Sequence, residues 1–435
     1  MSEKLDIIIV GAGVFGLASA YHLQKNNPNK KILLIDKLAD AGQANTAMSA
    51  AAVRNTFSSR TNQILTDKTI DFYTHIQENL KFDLDLQLVG YLWLLTGKQL
   101  ADPLNKKWME KMDANKIKYE LYEGDKLKKK IPEMSMKVSD NEEAKIMNLE
   151  DIEAGLFGVK CGTLDPSKLV TFYKNEFAKI SKIKPAYNSE VRELILEPPN
   201  KLGVSGEPFI WQNPTVVGVR TAEREIRAET VVMAAGTWVN KLTDPIGIDG
   251  RVKVKKRQLF RVSTEGSLAL KSILNAKGFN KFNLLPFTIL PRGVYLRPVR
   301  QEESFWVGCA DKLNRPFKYV QTEDDWKSEQ SYFEQSMYPV LSTYFPAFKD
   351  VRPASGWGGA YAYSYDAVPY VYKEAGMIFA TGDSGSGIMK ADAIGRMVDA
   401  LYRGEKTATL HGGATIDTDT LSIGNRKVEK EEVLI

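Results

Sequence analysis

Residues 5–36, LDIIIVGAGVFGLASAYHLQKNNPNKKILLID, carry the reading on which the fold turns. LDIIIV is a short apolar run rich in β-branched residues, the pattern of a strand buried in a parallel sheet. LASAYHLQK reads as a helix and KILLID, 31–36, as a second buried strand, so the stretch is one βαβ unit. The turn inside it is Gly11-Ala12-Gly13-Val14-Phe15-Gly16. Gly11 permits the tight turn, Gly13 leaves open the approach that a Cβ would deny a pyrophosphate, and Gly16 lets the helix pack close to the sheet. Phosphates would then meet free N–H groups and the positive end of the helix dipole. Asp36 ends the second strand 20 residues after Gly16 and can accept hydrogen bonds from ribose hydroxyls. The combination predicts a bound dinucleotide, and an acid at 36 argues against a 2′-phosphate.

Composition narrows the rest. A length of 435 residues predicts roughly two to four structural units. The 59 Lys and Arg against 54 Asp and Glu leave a formal charge of +5, too dilute to argue for a nucleic-acid partner. Cys161 and Cys309 exclude a disulfide framework and a cysteine-rich metal site, and fit buried positions in a reducing compartment. The three histidines, His22, His75 and His411, cannot form an HExxH pair, so no metal is expected. The apolar stretch 7–21 is shorter than the roughly 20 residues a bilayer needs, and it follows acids rather than a basic segment. The expected location is the cytoplasm, with a peripheral seat at the inner face of the membrane left open.

Further along, 59–80 predicts a helix capped by Ser59 or Thr61, and LVGYLWLL, 88–95, a strand. The lysine-rich stretch 101–130 is expected to be helical, with KLKKK at 126–130 as a solvated face. Pro166 suits the first turn of a helix in CGTLDPSKLVTFYKNEFAKI. SEVRELILE (189–197), TVVGVRT and EIRAETVVMAAG read as strands around an inserted loop, 198–214, that holds four prolines. Residues 251–310 are mainly β, with GVYLRPV and SFWVGCA as a hairpin, and 324–345 predicts an aromatic-rich helix. Residues 376–402 repeat the opening theme: strand MIFAT, turn GDSGSG, then a helix. The last thirty residues read as a poorly packed tail.

The glycine turn does not separate NAD from FAD, but distant segments do. VVMAAGTWVN, 231–240, resembles the strand that returns beneath the cofactor in flavoproteins, and TGDSGSGIMKADAIG, 381–395, resembles their C-terminal flavin loop and helix. With CGTLDPSKLV, YLRPV…WVGCAD and WGGAYAYSYDAVP in the expected order, the chain resembles the D-amino-acid-oxidase-type family of FAD oxidoreductases over nearly its whole length. Within it, the sarcosine oxidase and FAD-dependent L-proline dehydrogenase β-subunit branch is the most similar.

The resemblance implies an α/β fold: a Rossmann-like FAD-binding domain plus an α+β substrate domain on a mainly antiparallel sheet. The expected division is 1–60, 150–250 and 350–410 for FAD, 61–149 and 251–349 for substrate, and 411–435 as the tail. It implies cofactor contacts at Gly11, Gly13, Val14, Phe15, Gly16, Asp36, Lys37, Thr46, Ala47, Ala51, Ala52, Val191, Ala235, Gly236, Trp238 and Gly359. The C-terminal loop adds Gly382, Gly385, Ser386, Gly387, Ile388 and Met389. NTAMSAAAVRNTF puts Arg54 where the branch pairs an arginine with the substrate carboxylate, through two parallel charge-assisted bonds. Tyr91, Tyr295 and Arg297 are further pocket candidates.

Covalent flavin in this family uses a His near the first loop or a Cys near the final domain. The chain has no His between 23 and 74, and Gly359 stands at the Cys position, so noncovalent FAD is expected. Sarcosine oxidases place a Lys over the flavin, where positive charge stabilises superoxide. Met389 falls at that position with Lys390 beside it, which points to a dehydrogenase. Its electron acceptor would be a quinone, an electron-transfer protein or a partner subunit, in a homo- or hetero-oligomer. Asp383, where the family often has an apolar residue, weakens inference of a particular substrate. Histidine scarcity favours amines over alcohols, which usually need a positioned base. The expected reaction is oxidation of the C–N bond of a small secondary amine or amino acid, by hydride transfer to flavin N5. The rivals are a peroxide-forming oxidase, a 2-hydroxy-acid or glycerol-phosphate dehydrogenase, and a flavin-binding assembly factor without turnover.

Overall fold

Strand Leu5–Val10, helix Val14–Asn26 and strand Ile32–Ile35 form the expected βαβ unit. The computed structural model describes residues 5–309, 320 and 326–433. Leu5–Val10 is the middle of a parallel group, flanked by Ile32–Ile35 and Glu225–Met233, with Met377–Thr381 beyond the latter. Each parallel neighbour demands a long crossover, which is why segments more than 130 residues apart in sequence share this sheet. Tyr370–Glu374 closes one edge antiparallel, and Glu193–Glu197 and Thr215–Arg220 extend antiparallel from the start of Glu225–Met233, giving seven strands. A Cβ on Gly16 would lie 1.8 Å from the Gly11 carbonyl oxygen, so only glycine lets the helix start this close to the turn. Helix Val14–Asn26 packs against helix Ala391–Tyr402, and the buried contact of His22 Nε2 with Asp392 Oδ1, 2.7 Å, ties the two.

The second sheet has eight strands, in the order Ser355–Tyr363, Lys253–Ser263, Ser304–Cys309, Val294–Val299, Phe287–Ile289, Tyr91–Thr96, Ile152–Gly158 and Tyr119–Glu123. Every pair is antiparallel except Phe287–Ile289 with Tyr91–Thr96. The expected hairpin is present, with Val299 opposite Ser304. Among the described residues no helix is long and apolar enough to cross a membrane.

Several segments depart from their sequence reading. Ile152–Gly158 and Ser355–Tyr363 belong to the eight-stranded sheet, while helix Arg60–Glu78 contributes Leu65, Ile70 and Tyr73 to the core beside the parallel group. The sheets therefore draw on chain that crosses the expected boundaries near 60, 150 and 350. Within 101–130 the helix is interrupted by strand Tyr119–Glu123, because pairing with Ile152–Gly158 outweighs the local helical composition. The expected helix 324–345 is broken into Gln330–Tyr332, a wide turn Phe333–Met337 and Tyr338–Tyr344, with Pro339 starting the last; 324 and 325 lie outside the described residues, as do 310 and 311 of WVGCAD. The C-terminal segment is not a loose tail. Strands Thr407–Thr409 and Thr415–Asp417 pair, Arg426 grips Asp366 with two bonds of 2.6 and 2.7 Å, and Glu431 is fully buried.

Candidate functional site

The two glycine turns, 11–16 and 382–387, line one cavity of about 460 Å³. From the first come Gly11, Gly13, Val14 and Phe15; from the second, Gly385 and Gly387 with Ile388. Asp36, Lys37, Thr46, Val191, Ala235, Gly236 and Trp238 complete the expected residues that line it. A Cβ on Gly13 would meet only Thr46 Oγ1, at 3.6 Å. The protein's own packing does not require glycine there, and the absent side chain leaves the turn open to a group approaching from the cavity. The Thr46 hydroxyl accepts from Val14 N at 3.2 Å and orders the helix start. Asp36 accepts from Ala12 N at 2.6 Å and Leu38 N at 2.8 Å, which fixes its carboxylate and leaves lone pairs for ribose hydroxyls. The Lys37 ammonium lies 3.8 Å from the Trp238 ring centroid at the cavity wall.

The C-terminal turn is held from several sides. Gly385 has φ +80°, and a Cβ there would lie 2.1 Å from the Tyr361 ring. The Tyr73 hydroxyl donates to the Ile388 carbonyl at 2.6 Å. Asp383 accepts from Gly387 N at 3.2 Å and lines the cavity; burial raises its pKa.

A smaller cavity of about 60 Å³ adjoins, sharing Ser49, Tyr361, Gly385 and Ile388 with the first. Arg54, Tyr91, Tyr295 and Met389 line it, as do Ala52 and Ser386. Tyr91 stacks on Phe287 at 4.4 Å and Phe287 on Tyr295 at 5.2 Å, an aromatic wall set by adjacent strands. Burial drives both tyrosine hydroxyls well above their ordinary pKa, so both are neutral donors. The Arg54 guanidinium stacks 3.9 Å over Phe57 and donates to the Thr56 carbonyl at 2.9 Å and the Val433 carbonyl at 2.7 Å. It is buried, yet its direct polar contacts among the described residues are neutral. Burial lowers its pKa while Glu431 pulls the other way.

Other expected residues stand apart. Gly16, Ala47, Ala51, Gly359 and Gly382 line neither cavity; a Cβ on Gly359 would lie 3.1 Å from Met48 Cβ. Arg297 also lines neither. It lies 4.2 Å over Trp306, donates to the Leu164 carbonyl at 3.1 Å, and burial pushes it down to about 10. Lys390 is fully buried behind Ser386, donating to its Oγ at 2.6 Å. No histidine and neither cysteine lines either cavity, and burial pushes Cys161 up to about 11.

The sequence reading missed Tyr361 and the C-terminal acid Glu431. Tyr361 sits in WGGAYAYSYD, where strand alternation puts it on one face with Tyr363. Glu431 lines the small cavity and accepts from Ser58 N, Ser58 Oγ, Ser59 N and Asn62 Nδ2 at 2.8–3.1 Å. It lies in a charged run with no periodicity, so no local signal points to it.

One cavity is lined by both a βαβ phosphate turn and a second, remote glycine turn, a layout suited to a dinucleotide cofactor. Residues 6–401 match the model of the FAD dependent oxidoreductase family, and the chain belongs to that family. It is similar to FAD-dependent oxidoreductase domain-containing protein 1 of Bos taurus, 24% identical over 91% of this chain and 80% of that one. It is also similar to a putative sarcosine oxidase of Caenorhabditis elegans, 24% identical over 55% of this chain and 53% of that one. Among solved structures, L-proline dehydrogenase from P. horikoshii superposes with a TM-score of 0.72 at 20% identity, covering 93% of this chain and 95% of that one. The cofactor is therefore FAD. Gly11, Gly13, Asp36 and Gly385 line the cavity and would be the residues to hold it, and the opening at Gly13 is the observation that fits.

Proposed function

We propose that this flavoenzyme oxidises the C–N bond of a small secondary amine or amino acid bearing a carboxylate, and that it works as a dehydrogenase. Arg54 carries the reading. A buried guanidinium whose hydrogen bonds among the described residues go to neutral carbonyls, with Glu431 attracting it without a direct bond, has donors free for a ligand anion, and a carboxylate matches its planar fork. The aromatic wall of Tyr91, Phe287 and Tyr295 excludes water from the remainder of a small substrate and offers neutral hydroxyls rather than a competing charge. FAD, when bound, supplies the acceptor for the hydride that leaves the carbon beside nitrogen. The parallel sheet would hold FAD and the antiparallel sheet would wall the substrate.

Met389, which is uncharged, lines the small cavity, and Lys390 does not. With the uncharged Met389 rather than Lys390 in direct contact with the cavity, a quinone, an electron-transfer protein or a partner subunit is favoured over oxygen. The test is anaerobic titration of the yellow protein with amino acids and N-methyl amines, followed by admission of air. Bleaching with slow reoxidation is expected. Rapid reoxidation with peroxide would make it an oxidase, and bleaching by 2-hydroxy acids alone would move the substrate class. A flavin that no small amine or acid reduces would leave a non-catalytic flavin-binding role.

A further inference from the structure

An amine that carries a carboxylate exists at neutral pH mainly as its ammonium ion. In that form nitrogen has no lone pair to support departure of a hydride from the adjacent carbon, so one proton must leave first. Neither cavity holds a histidine. The small cavity does hold Ser386, whose Oγ stands 2.6 Å from Lys390 Nζ, four residues on. Lys390 has no exposure, and its ammonium lies 5.1 Å over the Phe57 ring.

We propose that Lys390 is the proton acceptor for the substrate amine and that Ser386 relays the proton between them. This rests on the amine reading of the pocket. The ammonium proton passes to Ser386 Oγ as the hydroxyl proton passes to Lys390 Nζ, leaving a neutral amine, a neutral serine and a charged lysine; no electrons move in this step. The Ser386 hydroxyl at present donates to the Asp383 carbonyl at 2.7 Å, and rotation about Cβ–Oγ redirects only its hydrogen. The same contact then serves in the opposite sense, from hydroxyl to a neutral amine.

The charges around Lys390 suit a group that gains a proton during turnover. Burial pushes it down to about 7, while Glu431 from the C-terminal segment, Asp383 from the glycine turn and Asp366 from the loop before Tyr370 favour the charged form, against Arg54. It can therefore be neutral before substrate binds and stabilised once protonated.

Stopped-flow flavin reduction of the FAD-loaded enzyme under anaerobic conditions, between pH 5.5 and 9.5, tests this. The limiting rate of the wild type should rise through an apparent pKa near 7. Lys390→Met and Ser386→Ala should both lose that limb, follow the ammonium's own ionisation instead, and reduce flavin about 100-fold more slowly at pH 7. Acetate binding, read from the flavin absorption band, should be unchanged in Ser386→Ala, since Arg54 is untouched. Retention of the wild-type limb by Ser386→Ala overturns the relay, and this variant decides alone if Lys390→Met does not load FAD. A wild type that no amine bleaches overturns the amine reading and the relay together, whereas bleaching with unaltered variant profiles removes only the relay.

Discussion

At the scale of single residues, the glycine motif that opens the fold serves two separable demands. Gly16 is required by the protein itself, because a Cβ there runs into the Gly11 carbonyl. Gly13 is not required by the protein's packing, because its Cβ would meet nothing nearer than Thr46 Oγ1 at 3.6 Å, which leaves bound FAD as the group that a side chain there would obstruct. Gly13→Ala should therefore fold with an unchanged apoprotein melting temperature but bind FAD at least about 10-fold more weakly, whereas Gly16→Ala should fail to accumulate as folded protein. Thermal melts of apoprotein and FAD titration separate the two. Arg54→Lys keeps the charge and loses the fork; the half-saturating substrate concentration should rise roughly 10- to 100-fold, and further in Arg54→Ala, with FAD retained in both. Lys390 also governs a pH effect on folding. Its pKa falls from 10.5 to about 7 on burial, so between those values the unfolded chain holds a proton that the folded chain lacks. Stability then rises with pH across that window and is lowest below 7. Lys390→Met should flatten the dependence and stabilise most at pH 6, on the order of 3 kcal/mol, in denaturant melts at pH 6 and 9. Residue positions tied to spacing, such as those of Gly11, Gly13 and Asp36 at the large cavity and Arg54 at the small one, were legible in sequence. Arg297 was not, because strand patterning locates it beside Tyr295 but cannot reveal that Trp306 and Leu164 claim its guanidinium.

At the scale of elements, apolar periodicity identified the buried strands and the helix after Ser59, whose hydroxyl accepts from Asn62 N at 3.4 Å. It failed where tertiary contacts decide. The YELYE strand at 119–123 is an edge that exists through its partner Ile152–Gly158, and the wide turn at Phe333–Met337 has no sequence marker. The C-terminal segment is the clearest case. Its composition is that of a solvated tail, yet Glu431 seats its carboxylate on the start of helix Arg60–Glu78, where backbone N–H groups and the helix dipole favour an anion. The same segment delivers the Val433 carbonyl to Arg54. Glu431→Ala should cost roughly 3 kcal/mol, since it strands several buried donors and removes an acid that favours the charged forms of buried Arg54 and Lys390. The loss should appear in chemical denaturation, and limited proteolysis should show residues 426–433 released first. Unchanged protection of that segment would mean that Arg426 with Asp366 suffices to hold it.

At the scale of the whole molecule, the cavity is assembled from segments near 10–16, 36–46, 191–192, 234–242, 360–362 and 381–388, none of which is complete without the others. Both sheets contribute, because Ala360 and Tyr361 come from the antiparallel one and the two glycine turns from the ends of parallel strands. A ligand lying along this line is a cross-brace between regions that the chain itself joins through helix packing and the His22–Asp392 contact. Binding free energy should then appear as folding free energy, about 2.7 kcal/mol when FAD is present at 100 times its Kd. With neither cysteine nor any histidine lining the cavity, the cofactor is expected to come away completely on acid precipitation; colour retained in the pellet would indicate a tether. Hydrogen exchange on the stripped protein gives the sharper result. Amides of the 11–16 and 382–387 turns should lose protection together on FAD removal and regain it together on reconstitution, while the hairpin Val294–Val299 with Ser304–Cys309 stays protected throughout. Loss of protection in one turn without the other would show that they do not hold a common ligand.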